Sequence, residues 1–237
     1  MGLSKILCYA ILALGIVVLC FYVKEKIKAY SIKAVVLKAF VSCCFMGIAA
    51  AAAMSCSNPV FAFCVIMGLL FGLLGDVWLD LKFVHPADDE PYTFAGFWSF
   101  AIGHALFITG LLSAYADFSK PLYFIIPVVV ATAVGIANVY AGPIMKLDYG
   151  KFANITKFYG SILFSMTLIA GSLALMNGFE VTTLNLMFIG GVSFIISDLV
   201  LSGTYFGKDH EKPVDIILNY VFYYGAQFII AFSILFA

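Results

Sequence analysis

Hydrophobic positions dominate this chain for about 20 residues at a time, in runs separated by short polar stretches. As a helix, a run of that length crosses ~30 Å of hydrocarbon. The pattern predicts eight membrane-spanning helices, over residues 3–23, 32–53, 60–81, 94–114, 121–140, 152–176, 183–206 and 214–236. Turn formers separate several of them: Asn58-Pro59, Pro121, Gly142-Pro143 and Asn177-Gly178. The first run follows Lys5 as a signal peptide would. It is long for one, however, and no small-residue cleavage site precedes Lys24, so it is expected to stay as a helix. The expected fold class is all-α, a polytopic integral membrane bundle of eight transmembrane helices forming one domain over residues 1–237.

Composition agrees with that reading. Hydrophobic residues make up 64% and charged residues 11%, with a mean hydropathy of +1.08, whereas about a quarter of the residues of a soluble domain are charged. All 13 cations are Lys, which removes bidentate guanidinium clamps on phosphate. The net charge of zero says little; no nucleic-acid partner is expected, and membrane lipids are. The six cysteines, Cys8, Cys20, Cys43, Cys44, Cys56 and Cys64, show no Cys-x-x-Cys or Cys/His spacing and read as small packing residues.

Lysine sets the orientation. Lys24, Lys26, Lys28, Lys33, Lys82, Lys146, Lys151, Lys208 and Lys212 fall in the loops after helices one, three, five and seven, against only Lys5 and Lys120 on the other side. Cytoplasmic loops carry the positive excess, so these four loops are expected in the cytoplasm and both termini outside. In a bacterium the membrane would be the inner one.

The candidate chemistry lies within the spans. GLLFGLLGDVWLDLK, residues 68–82, carries Asp76 and Asp80 one helical turn apart, on one face with Gly68 and Gly72. An Asp near the bilayer centre costs roughly 2.5–3.5 kcal/mol, so such residues usually face a bundle interior or a cavity. Lys38, Asp76, Asn138, Tyr159 and Asp198 fall roughly 5–12 Å in from the cytoplasmic helix ends, with His104, Tyr223 and Gln227 deeper. Polar side chains at one level point to a pocket open to the inner leaflet or the cytoplasm. A weak internal repeat relates Lys38, Asp76 and His104 to Lys157, Asp198 and Gln227, at offsets of 119, 122 and 123 residues (157 − 38, 198 − 76, 227 − 104). It suggests two parallel four-helix halves with the site between them.

Each residue also has a plainer reading. Asp76 and Asp198 would each make a structural hydrogen bond, Asp80 would be structural or solvated, and Lys38 would snorkel or pair with an Asp. His104 would be a buried structural histidine, although in hydrocarbon it needs a partner, which an Asp would supply. Asn219, Tyr223 and Gln227 form an i, i+4, i+8 stripe that interhelical hydrogen bonding would explain. His85, His210, Asp88, Asp89 and Glu90 read as solvated loop. Metal motifs, a Gly-x-Ser-x-Gly elbow and Walker-type loops are absent from the sequence, and no cofactor or metal is expected.

Six stretches together resemble the YhhN-like membrane proteins, which include the lysoplasmalogenases: LKAF at 37–40, FGLLGDVWLDL at 71–81, FWSFAIGHALFITG at 97–110, FYGSILFSM at 158–166, GGVSFIISDLVLSGTYF at 190–206 and YYGAQFIIAFS at 223–233. Helix two departs from the family's frequent Lys-Pro-Leu, because Lys38 is followed by Ala39-Phe40; a bend there is thereby in question. The resemblance implies an eight-helix hydrolase of the vinyl ether bond of lysoplasmalogens, with a lysophospholipid substrate and a fatty aldehyde product. On that expectation Asp76 and Asp198 are an acid and stabiliser pair that share a proton. His104 and Gln227 position them or the water, and Lys38 or Lys157 meets the phosphate at the cytoplasmic rim. Asp80, Tyr159, Tyr223 and Asn138 complete the substrate site. A proton-coupled transporter or channel, or a lipid-binding protein without turnover, remains the alternative.

Overall fold

Each long apolar run is a helix because a backbone surrounded by lipid must satisfy its own N–H and C=O groups. The computed structural model describes residues 2–28, 31–207 and 212–237. The helices are α1 (Leu3–Lys28), α2 (Ile32–Ala53), α3 (Pro59–Val84), α4 (Asp89–Tyr115), α5 (Leu122–Tyr140), α6 (Ala153–Met176), α7 (Thr182–Phe206) and α8 (Pro213–Ser233). All eight are long and apolar enough to cross a membrane. Several run past the predicted limits, α1 by more than a turn, which carries Lys26 into the helix. Lys208 and His210, read as loop residues, lie outside the described residues.

Local chemistry fixes the ends. Ser31 accepts from Ala34 N at 3.2 Å to cap α2, and Asn58 accepts from Phe61 N at 3.0 Å to cap α3, where Pro59 follows at the first turn. Gly178, at φ +60°, closes the turn after α6. α2 continues through Lys38-Ala39-Phe40 without interruption, and α5 continues through Pro127. The α5–α6 connection is tied to the end of α7: Leu147 bridges Gly207, and Asp148 N donates to Phe206 O at 2.8 Å.

Helix neighbours follow a repeating order. α1 packs on α2, α2 on α3 and α3 on α4; α5 on α6, α6 on α7 and α7 on α8 repeat the sequence. The halves meet through α4 against α6 and, correspondingly, α8 against α2. Helices that each cross a membrane once alternate in direction, so elements four apart run parallel, as in transporters built from parallel repeats. The packing thus carries the two-half organisation that the residue offsets suggested. It breaks at two places: α1 and α3 also lean on α8, whereas neither α5 nor α7 makes a comparable contact with α4.

Small residues set the closest approaches. A Cβ on Gly68 would lie 2.8 Å from the Gly103 carbonyl oxygen, and one on Gly103 would lie 2.8 Å from that of Gly68, so α3 and α4 touch backbone to backbone. The space beside Gly103 is therefore filled by α3.

Candidate functional site

The polar centre is built from side-chain pairs one helical turn apart. α3 contributes Asp76 and Asp80, α2 contributes Lys38 and Ser42, and α1 contributes Tyr22 and Lys26. All six are buried. Lys38 Nζ stands 3.3 Å from an oxygen of Asp76 and 3.3 Å from one of Asp80. Lys26 Nζ is 2.8 Å from the same Asp80 oxygen, and the Tyr22 hydroxyl donates to the other at 3.2 Å. Ser42 Oγ donates to Asp76 Oδ2 at 2.7 Å, and the Tyr223 hydroxyl also faces Asp76. Two lysines and two carboxylates thus cancel in charge. Balance of this kind is what makes buried charge tolerable, because each ion loses several kcal/mol of hydration on entering low dielectric.

Asp198 is placed differently. It is half-buried on α7, and Tyr159 of α6 donates a short hydrogen bond to its Oδ2. Among the described residues no lysine pairs with it. Lys157, its equivalent of Lys38 by the repeat, instead lies 4.6 Å from the Tyr140 ring centroid. The repeat supplies both halves with an Asp but gives only the first a cation.

Asp76 and Asp198 line one cavity of about 80 Å³ between the halves. Lys38, Asn138, Tyr159, Tyr223 and Asn219 add polar edges, with Asn219 held by Ser197 at 3.0 and 3.1 Å. Much of the remaining wall is apolar, including Phe97, Phe100, Leu163 and Phe194. At about 10–15 Å³ of such volume per molecule, the chamber has room for several waters.

Four expectations change. Asp76 and Asp198 face one chamber, but each has its own partners and no direct hydrogen bond joins them, so they do not share a proton. Lys38 is committed between two carboxylates and does not point to the rim. Asp80 lies behind the cavity wall, held by Lys26, Lys38 and Tyr22, and is not among the cavity-lining residues. Among the described residues His104 has no Asp partner and both ring nitrogens lack a hydrogen-bond partner, while Phe107, Phe194 and Tyr159 surround the ring. It is separated from the cavity by Phe194, whose ring centroid is 4.6 Å away.

Gln227 also sits one layer back. Its Nε2 donates to the Tyr223 hydroxyl at 2.9 Å, and it fills the space that Gly72 leaves. Tyr159, Tyr223 and Asn138 do line the cavity. Tyr22, Lys26, Ser42 and Tyr224 were not picked out from sequence. The signal for Tyr22 and Lys26 was present as an i, i+4 pair like Asp76 and Asp80, but Lys26 fell beyond the predicted end of helix one.

Fold and site together define a multi-pass helical membrane protein with a carboxylate-lined chamber between two related halves. The YhhN family model matches residues 33–234, and the chain belongs to the YhhN family. No curated protein and no solved structure matches it.

Proposed function

We propose that the protein is a membrane hydrolase that cleaves the vinyl ether bond of lysoplasmalogens, releasing a fatty aldehyde and a glycerophospho-base. The observation that carries this reading is the unequal pair of carboxylates on one chamber wall: Asp76 beside a lysine, Asp198 beside a phenol alone. Vinyl ether hydrolysis asks for that inequality, because one carboxyl must hold a proton and the other must be ionised. Membership of a family known for lysoplasmalogenase-like proteins supports the substrate class. The continuity of all eight spans speaks against a transporter, whose sites are typically formed by interrupted helices.

In the proposed sequence Asp198 is the acid. Tyr159 occupies its Oδ2 and leaves Oδ1 for the proton. That proton adds to the alkenyl carbon one bond removed from the ether carbon, and an oxocarbenium ion forms at the ether carbon. A chamber water attacks this carbon and passes its proton to Asp76, kept ionised by Lys38 and oriented by Ser42. Asp76 then returns the proton to the glycerol oxygen as the hemiacetal C–O bond breaks. The hemiacetal hydroxyl proton returns to Asp198, restoring both groups. Two carboxyls divide the work in the same way in glycosidases. The alkenyl chain would lie along Phe97, Phe100 and Leu163.

The test is purified protein given lysoplasmenyl-ethanolamine, with free aldehyde measured. Wild type is expected to release aldehyde. Asp198→Asn is expected to lose at least about a hundredfold in turnover, the lower end of what general acid catalysis contributes. Asp76→Asn should also lose turnover. Absence of aldehyde from folded wild type across several detergents and pH values would refute the hydrolase; unchanged turnover in both variants would refute the residue roles.

A further inference from the structure

The family match begins at residue 33, inside the first turn of α2, so α1 lies wholly outside it. Yet α1 reaches the polar centre. Lys26 is 6% exposed and makes the shortest ionic contact of the cluster, 2.8 Å to Asp80. Asp80 does not line the chamber, so Lys26 meets no substrate. Its ionic route to the chamber runs through Asp80, which it contacts at 2.8 Å.

Charge counting gives the direction. Lys38 stands 3.3 Å from both Asp76 and Asp80 and serves as the cation for both. With Lys26 present, Asp80 has a closer cation, and Lys38 is available to Asp76 on the chamber wall. Without Lys26, two buried carboxylates compete for one ammonium. Among the described residues the neighbouring groups offer no substitute. Tyr22 of α1, Tyr205 of α7 and Tyr220 and Tyr224 of α8 are phenols, and Lys82 of α3 is turned to Asp89 at 3.5 Å.

We propose that Lys26 is a positioning residue: by neutralising Asp80 it releases Lys38 to hold Asp76 ionised at the chamber, so that α1 completes a site otherwise built from the matched region. The activity arm of the test rests on the hydrolase reading; the spectroscopic arm does not.

The experiment compares wild type, Lys26→Met, Asp80→Asn combined with Lys26→Met, and Lys24→Met, all purified as the full chain. Infrared difference spectra against wild type read carboxyl protonation, and aldehyde release reads turnover. Lys26→Met is expected to gain a protonated-carboxyl band and to lose about tenfold or more in turnover, as positioned groups commonly do. The double variant removes both charges of the pair, leaves Lys38 with Asp76 alone, and should restore both readouts. Lys24, exposed two residues away, should leave both unchanged. If Lys26→Met does not fold, the double variant still decides, because removing both partners leaves no buried charge unpaired. A double variant that shows the extra band or lacks turnover overturns the proposal, as does an equal loss in Lys24→Met. If wild type releases no aldehyde, the hydrolase reading fails while the infrared comparison still decides the role of Lys26.

Discussion

At the scale of single residues, the two chamber acids show how environment assigns work to identical side chains. Asp76 has an ammonium, a serine hydroxyl and a tyrosine around it; Asp198 has one phenol. Tyr159 donates to Oδ2 of Asp198 and, in the proposed mechanism, leaves Oδ1 for the proton. Replacing it by Phe removes that donor and little volume. The expected outcome is turnover lower by about tenfold, the scale of one lost hydrogen bond to a charged or reacting group, with KM changed little. A steady-state comparison of Tyr159→Phe with wild type on the lysoplasmenyl substrate checks it. Equal kcat values would remove Tyr159 from the mechanism. Asp80 carries the opposite lesson. It is as buried as Asp76, but two lysines and Tyr22 hold it away from the chamber.

At the scale of helices, the site depends on close approach. The reciprocal contact of Gly68 with Gly103 lets α3 and α4 meet backbone to backbone, and a Cβ on Gly135 of α5 would lie 2.6 Å from Ser161 N of α6. Neither neighbour is a flexible side chain that can swing aside. A Gly103→Leu variant must separate α3 from α4. Overpacking of this kind costs about 1–3 kcal/mol. The expected result is a lower unfolding temperature in detergent, read by thermal scan, together with reduced activity. A wild-type transition would show that this crossing is not tight. α1 behaves differently: its apolar surface is largely lipid-facing, and Tyr22 and Lys26 are the side chains that join it to the polar centre.

For the whole molecule, the order of helix contacts builds two parallel halves around one chamber, and the repeat is imperfect where function would need it to be. Asp76 and Asp198 are equivalent in place, whereas Lys38 and Lys157 are equivalent in sequence position only. Sidedness follows from the lysines and is proposed with the loops after α1, α3, α5 and α7 in the cytoplasm. In a background lacking the native cysteines, Ser119→Cys in the α4–α5 loop should react with an impermeant maleimide added to intact cells. Ile144→Cys in the α5–α6 loop, 86% exposed, should react only after permeabilisation. The reverse pattern would invert the topology and place the chamber in the outer leaflet.

The sequence by itself determined eight crossings, the class of fold and the level at which polar side chains gather. These depend on run length and spacing along one segment, which hydrocarbon thickness and helix rise convert directly into position. Asp76 and Asp198 were legible for the same reason: an acid in an apolar span is costly wherever the span packs. Only the tertiary structure decided the partners. The approach of Lys26 to Asp80, the committed position of Lys38 and the enclosure of His104 by aromatic rings depend on how helices rotate and cross. That geometry is fixed by contacts between segments far apart in the chain, and no local pattern encodes it.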